Sequence, residues 1–553
     1  MLPSAEELIA TRIHKIRKPF SDKGEYRGLE LSNGLKILLV SDPKTSVSSA
    51  VFTVRTGSQM DPDNFPGMAH FCEHSVFLAT EKYSKESQFK EFVSSNNGRC
   101  NACTSPEETL YKMEIASSSL EEGLDRMLQF FISPIFDEDA VLRELEAVDA
   151  EFRSLSCNDL YRLSQLIRSI SRPGHEFGKF LCGNKRTLKE IPESKGLNLR
   201  EALVEFHRSN YSPDLITCCI IHDESLEQME KMVKRSDFAR IPTRSVDRKT
   251  TDAHPFGPAE LGHRVDVVPI KDLRWLVLIF ATEDYSQFYE CKPDEFIETL
   301  IRLKEGNCFR KYLTNRGWVS SILGDFMSCR TNPGFFEVWF DLTPDGLDHV
   351  EDIVESFFQL IGRLKSADNL ETSFKEAARV SKFFYSHSNA ESDWDLAVKL
   401  ARNLQKYPFE VVNSNQLTTS FDPQLIRRFL EEFTPEKMNY FVVSKESAEI
   451  EDLEKEEYFG TRFKKTKLSK DYLIRLRSAL NHPKLSLDFL LKHQLIPDTL
   501  TTQPGLSSLA IKKTRVFLDN FAKITHEYQR EPSIQATVEI LHPGSRATAL
   551  DCI

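Results

Sequence analysis

The chain has 553 residues, with 72 Lys and Arg against 83 Asp and Glu, a net charge of −11. That balance weighs against a nucleic-acid partner, which calls for a basic face, and no run of 18 uncharged apolar residues is present to span a membrane. At this length one hydrophobic core is too few, and two or three domains are expected.

The opening segment, MLPSAEELIATRIHKIRKPF, has no apolar leader stretch, and its glutamates are unlike a transit peptide. With 11 cysteines, an odd number scattered through apolar segments, it predicts a reducing, cytoplasmic setting. LELSNGLKILLV alternates around Asn33-Gly34 and predicts a hairpin with a type I′ turn. SAVFTVRTG predicts a second alternating strand. A helix containing AHFCEHSVFL follows, entered through Pro66-Gly67, with Pro66 suited to its first turn. KESQFKEFVSSNNG predicts a helix closed by Gly98 as C-cap, and TLYKMEIA a strand. Ser119 and Glu122 form a capping-box pattern at the head of SSSLEEGLDRMLQFF. A long helix starts near Asp137 through DEDAVLRELEAVDAEFRSL, and LITCCIIH reads as a strand.

Residues 241–262 are polar and broken by prolines, as in a linker. Beyond them the same kinds of element recur: strands at RWLVLIFATED and GFFEVWFDLT, helices at GLDHVEDIVESFFQLIGRL and DPQLIRRFLEEFT. This predicts an α+β fold of two homologous mixed α/β domains, over residues 20–240 and 263–480, each an antiparallel-rich sheet packed by helices. Residues 481–553 read as a hinge and the truncated start of a third domain, ending on one good strand, ATVEILHP.

Only 14 histidines occur in the chain, and two of them, His70 and His74, share one helix face at i and i+4. Both imidazoles can then reach one ion at about 2.0–2.1 Å. Glu73 leans to the same side, where a carboxylate can hold and deprotonate a metal-bound water. The order H-x-x-E-H is the inverted form of the familiar H-E-x-x-H metallopeptidase helix. Two imidazoles with a nearby carboxylate suit zinc, which needs a third protein ligand and an open fourth position. Glu144 and Glu151 on the Asp137 helix are the candidates. They are seven residues apart on one face, about 10 Å along the axis, so both binding one ion is not expected. Ala147 and Val148 lie between them, and this face is expected to be buried, where carboxylates need a cation or donors. Cys72, beside Glu73, is either a target for thiol reagents or a packed core thiol.

GMAHFCEHSVFLATEKY, NACTSPEETLY and LRELEAVDAE together resemble the pitrilysin, or inverzincin, family, in its branch of insulin-degrading enzyme and nardilysin. GKFLCGNKRTL, VVPIKDLRWL, NRGWVSSILG, DLTPDGLDHVEDI and EYFGTRF extend the likeness over roughly residues 25–470. The resemblance implies a pitrilysin-like N-terminal half and a zinc endopeptidase cutting peptides held in extended form. It selects Glu151, 77 residues after His74, as the third ligand to one zinc ion with His70 and His74. Glu73 would be the general base and Glu144 an acid orienting a ligand. Asn101, Ala102 and Cys103 would lie on an edge strand that pairs with the substrate backbone, Cys100 and Cys103 being small strand residues rather than a C-x-x-C site.

Members of that branch are about twice this length, their two halves closing around a peptide chamber. The likeness therefore implies a separate C-terminal-half chain or self-association to complete the chamber. The alternative is a truncated, weakly active or inactive peptide-binding homologue that keeps its zinc. The glycine-rich anchoring loop of the family is altered here to LKEGNCF, and EFRSL departs from the usual continuation after Glu151.

Overall fold

The computed structural model describes residues 7–244, 253–304, 306–327, 334–387 and 391–489, with strands at 514–518, 522–528 and 534–540. Residues 245–252 of the expected linker lie outside the described residues. The chain divides into two compact units, Met1–Lys492 and His493–Ile553.

The first unit is built on two seven-stranded sheets. Strands β1 (Ile9–Ile13), β2 (Glu25–Leu31), β3 (Lys36–Ser41), β4 (Val47–Val54), β5 (Arg99–Thr104), β6 (Thr109–Ala116) and β7 (Ile216–His222) make the first, in the order β1-β2-β3-β7-β4-β6-β5. The β2–β3 turn is the Asn33-Gly34 hairpin, with Gly34 at φ +89°. The second sheet holds β8 (His263–Val267), β9 (Trp275–Ala281), β10 (Val319–Met327), β11 (Phe335–Leu342), β12 (Met438–Val443), β13 (Glu454–Lys455) and β14 (Arg462–Lys467). Its order is β10-β11-β9-β12-β8-β14-β13.

Five consecutive strands of each sheet, reaching to one edge, follow one permutation. The first strand lies parallel to the last, which continues antiparallel to the second, fourth and third. The second half therefore repeats the first in topology, as the recurring elements predict.

One face of the first sheet is covered by helices α1 (Met68–Ser75), α2 (Gln88–Ser95), α3 (Leu120–Ile132), α4 (Glu138–Leu155) and, after α5 (Asp159–Ser169), α6 (Leu226–Arg235). The matching face of the second sheet packs α7 (Pro293–Ile301), α8 (Val350–Lys365) and, after α9 (Asp393–Lys406), α10 (Pro423–Glu431) and α11 (Lys470–Asn481). Helices α5 and α9 are exchanged. Ala397, Leu400, Ala401 and Leu404 of α9 cover Leu38, Val40, Val51, Cys219 and Ile221 on the far face of the first sheet. Leu163, Leu166, Ile167 and Ile170 at α5 cover Val265, Val277, Ile279, Phe441 and Val443 on the far face of the second. Burial on both faces is why β7 reads as the unbroken apolar run ITCCIIH, with all seven residues buried.

Several local expectations change. Helix α1 starts at Met68, because Gly67 at φ +96° breaks the helical path and leaves Pro66 outside. Asn97, not Gly98, takes the left-handed position after α2, while Gly98 is required by its closeness to the Glu114 carbonyl. Ser119 makes no capping bond to α3, since its hydroxyl donates to Asn96 Oδ1 at 2.8 Å. GLDHVEDIVESFFQLIGRL is two helices, Pro344–Asp348 and Val350–Lys365, broken at His349, whose ring stacks on Trp318. In the second unit ATVEIL is no lone strand: β15 (Thr514–Leu518), β16 (Ala522–Tyr528) and β17 (Ile534–Ile540) form an antiparallel sheet. Among the described residues no helix is long and apolar enough to cross a membrane.

The edge strand β1 is tied down by charge. Arg12 donates to Glu230 of α6 through Nε at 3.2 Å and Nη2 at 2.8 Å, and Arg27 approaches the same carboxylate at 3.3 Å. The Arg12 hydrogen bond, helped by Lys234, holds the Glu230 carboxyl at about 2. A depressed carboxyl stabilises the fold above its unfolded pKa of about 4.3, and the contribution disappears as pH falls toward the folded value. We expect Glu230→Gln to cost about 1 kcal/mol at pH 7, Arg12 being partly exposed. In urea unfolding, that deficit should close between about pH 4.5 and 2.

Candidate metal centre

Helix α1 buries Met68, Ala69, Phe71 and Cys72 in the first core, which turns His70 and His74 toward α4. Its N-terminus has no side chain of its own as a cap. Asp61 supplies one from seven residues upstream: its carboxylate accepts from Gly67 N at 2.6 Å and Ala69 N at 2.7 Å. Burial lifts the pKa of that carboxyl, against the pull of the two amides and Lys179.

A Cβ at Gly67 would overlap the Cα of Gly183, and one at Gly183 (φ +72°) would come within 3.0 Å of Gly67 Cα and Leu188 Cδ1. This contact sets the preceding carbonyl, that of Cys182, against α1, where it accepts from His70 Nδ1 at 2.6 Å. His74 Nδ1 donates to Glu144 Oε1 at 2.8 Å. Both rings are thereby fixed with the proton on Nδ1, the arrangement that frees Nε2 for a metal.

Both Nε2 atoms face Glu151. Its Oε2 lies 3.4 Å from His74 Nε2 and 3.7 Å from His70 Nε2. The ligand atoms of His70, His74 and Glu151 all fall within 4.8 Å of one another, and no other such group occurs among the described residues. Three acceptors converging in this way need a cation between them. Ligands about 2.0–2.1 Å from one tetrahedral ion stand about 3.3 Å apart, which these separations nearly meet. A proton also serves: burial opposes charge on His74, but its hydrogen bonds to Glu144 and Glu151 raise it to about 9. The hydrogen bond from His74 correspondingly lowers Glu151.

Glu73 is buried at 6 % exposure beside the imidazoles, its Oε2 accepting from Thr104 Oγ1 at 2.6 Å. Burial raises its pKa, opposed by His70 and by the Thr104 bond. The Glu144–Glu151 face differs from expectation. Val148 is buried, but Ala147 is exposed and the Glu151 side chain is 42 % exposed, because the face lines an open site rather than a core. Cys72 is fully buried and its thiol is pushed up to about 12, as a packed core residue.

Asn101, Ala102 and Cys103 lie on β5, the edge of the first sheet, which among the described residues pairs only with β6. Asn101 and Cys103 are exposed, and Ala102 and Cys100 face the core, so the two cysteines stand on opposite sides of the strand. Four features of the centre had no sequence signal of their own: Asp61, the Cys182 carbonyl, the Gly67–Gly183 contact and Thr104.

Sequence profiles of one family match along the chain: Insulinase (Peptidase family M16) over residues 36–174, Peptidase M16 inactive domain over 198–380, and Middle or third domain of peptidase_M16 over 385–531. Insulin-degrading enzyme of Drosophila melanogaster is 34 % identical over 546 residues, covering 98 % of this chain and 55 % of that protein. Human insulin-degrading enzyme is 36 % identical over 490 residues, covering 88 % and 48 %. The crystal structure of pitrilysin matches with a TM-score of 0.82 at 24 % identity, covering 89 % of this chain and 52 % of that one. The chain belongs to peptidase family M16, the pitrilysin or insulinase family. It spans about half the length of the curated relatives it matches.

Because Gly67 combines a left-handed backbone with a close neighbour, Gly67→Ala should cost about 2–4 kcal/mol in urea unfolding. It should also weaken divalent-metal affinity at least about tenfold, since the Cys182 carbonyl is displaced from His70.

Proposed function

We propose that this chain is the metal-binding part of a zinc-dependent endopeptidase of the insulin-degrading type, acting on short to medium peptides. One observation carries the reading: two imidazoles, each hydrogen-bonded through Nδ1, turn Nε2 toward one carboxylate, with a buried acid alongside. His70, His74 and Glu151 would hold one zinc ion, which when bound polarises a peptide carbonyl and brings the pKa of its water toward about 7. Glu73, raised by burial and aimed by Thr104, accepts the proton of the attacking water and passes it to the leaving amine. Glu144 holds His74 in the ligating tautomer. The free edge of β5 at Asn101, Ala102 and Cys103 offers backbone donors and acceptors to an extended peptide, which would join the sheet as an added strand.

The reading includes a site-bearing domain over residues 20–240, a second domain over 263–480, and a hinge with the start of a third from 481. Because the relatives are about twice as long, the peptide chamber would be completed by a C-terminal-half chain or by self-association. The cytosol suits nine unpaired cysteines among the described residues.

The test is a quenched peptide of about ten residues offered to the zinc-loaded chain, with and without a C-terminal-half chain. Glu73→Gln should keep zinc and lose about 10²–10⁴ in kcat. Glu151→Gln should lose zinc affinity outright, and equal metal loss in both variants would refute these roles. Zinc bound in unit ratio without turnover under either condition would favour a peptide-binding or regulatory homologue instead.

A further inference from the structure

The second half reaches the metal centre through the turn before β14. Glu456, buried, accepts the amide protons of Tyr458 at 3.0 Å and Phe459 at 2.7 Å, and Gly460 at φ +66° reverses the chain. This rigid turn presents two rings to the first half. Tyr458 stacks flat on Phe180, with centroids 4.2 Å apart and planes within 1°. Phe459 meets Phe152 at 5.2 Å and Phe180 edge-on at 5.9 Å. Arg162 donates Nη1 to Phe459 O at 2.7 Å and to Ser156 O at 3.2 Å, joining the turn to the residue that ends α4.

Both backbones touched by these rings lead to the site. Phe152 directly follows Glu151, and Phe180 lies two residues before Cys182, whose carbonyl fixes His70. Glu151 stands four residues from the end of α4, where a helix frays unless something packs on it. Phe152, Leu155, Tyr161, Phe180, Tyr458 and Phe459 supply that packing as a small cluster separate from both main cores.

We propose that Tyr458 and Phe459 form an aromatic clasp that positions the metal centre: it holds the end of α4, and so Glu151, at a fixed distance from the Cys182 carbonyl that orients His70. The second half then sets the affinity of the site in the first. The proposal rests on the zinc reading above, and the clasp residues are positioning residues with no contact to substrate.

The experiment is a competitive zinc titration against a chromophoric chelator, run beside urea unfolding of the metal-free proteins. Phe459→Leu and Tyr458→Ala should raise the zinc Kd about tenfold, the usual size of a lost outer support. Tyr458→Phe should match the parent, because the stacked ring needs no hydroxyl. Phe433→Leu, which packs on Phe280, Phe336 and Phe429 in the second core, should lower the unfolding midpoint yet leave the Kd unchanged. Clasp variants within about twofold of the parent Kd, or equal weakening by Phe433→Leu, overturn the clasp alone. A parent chain that binds no zinc overturns the peptidase reading and the clasp together.

Discussion

At Gly67 and Gly183 two backbones meet where neither position can carry a side chain, and the metal centre is assembled from that contact. The left-handed turn at Gly67 sends the chain into α1 and points its first amides at Asp61. The abutting Gly183 sets the Cys182 carbonyl beneath His70. A carbonyl can only accept, so the proton of His70 is confined to Nδ1, and the same logic with Glu144 settles His74. The outward nitrogens then face the Glu151 carboxylate, an arrangement that calls for a positive charge in the middle, a metal ion or a proton on His74. Cation affinity here follows from backbone sterics several bonds away from any ligand.

Much of this was legible in sequence, though unevenly. The helical spacing of His70 and His74 announces a shared face, and Glu73 comes with it. The candidate third ligand does not: Glu144 and Glu151 have the same spacing logic, and it took the family resemblance to separate them. The geometry places them on either side of the same imidazole, Glu144 at Nδ1 and Glu151 at Nε2 of His74. The residues with no sequence signal are those acting through the backbone or across long separations. A carbonyl oxygen is the same at every residue, and nothing around Cys182 marks its own as the partner of a histidine 112 positions earlier. Asp61 resembles any turn aspartate until α1 is folded beneath it.

Local rules failed where a tertiary partner competed for the same group. Ser119 fits the capping-box pattern, but Asn96 lies nearer and takes its proton. The apolar periodicity through residues 344–365 continues unbroken past His349, whose stacking on Trp318 interrupts the helix. The duplicated domain was visible as repeated elements, whereas the shared strand permutation emerges only from pairing. In the second half α7 follows the second strand of the permutation, as α1 does in the first, and it spends its inward positions on Phe296, Ile297 and Leu300.

The exchanged helices α5 and α9 bear on how far the two halves depend on each other. Each half takes the cover of one face of its sheet from the other, so removing either would leave an apolar wall of Val, Ile and Cys or Phe side chains bare to water. The half with no candidate metal cluster among its described residues is held in place by the wall it builds, as an arch keeps a stone that carries no inscription.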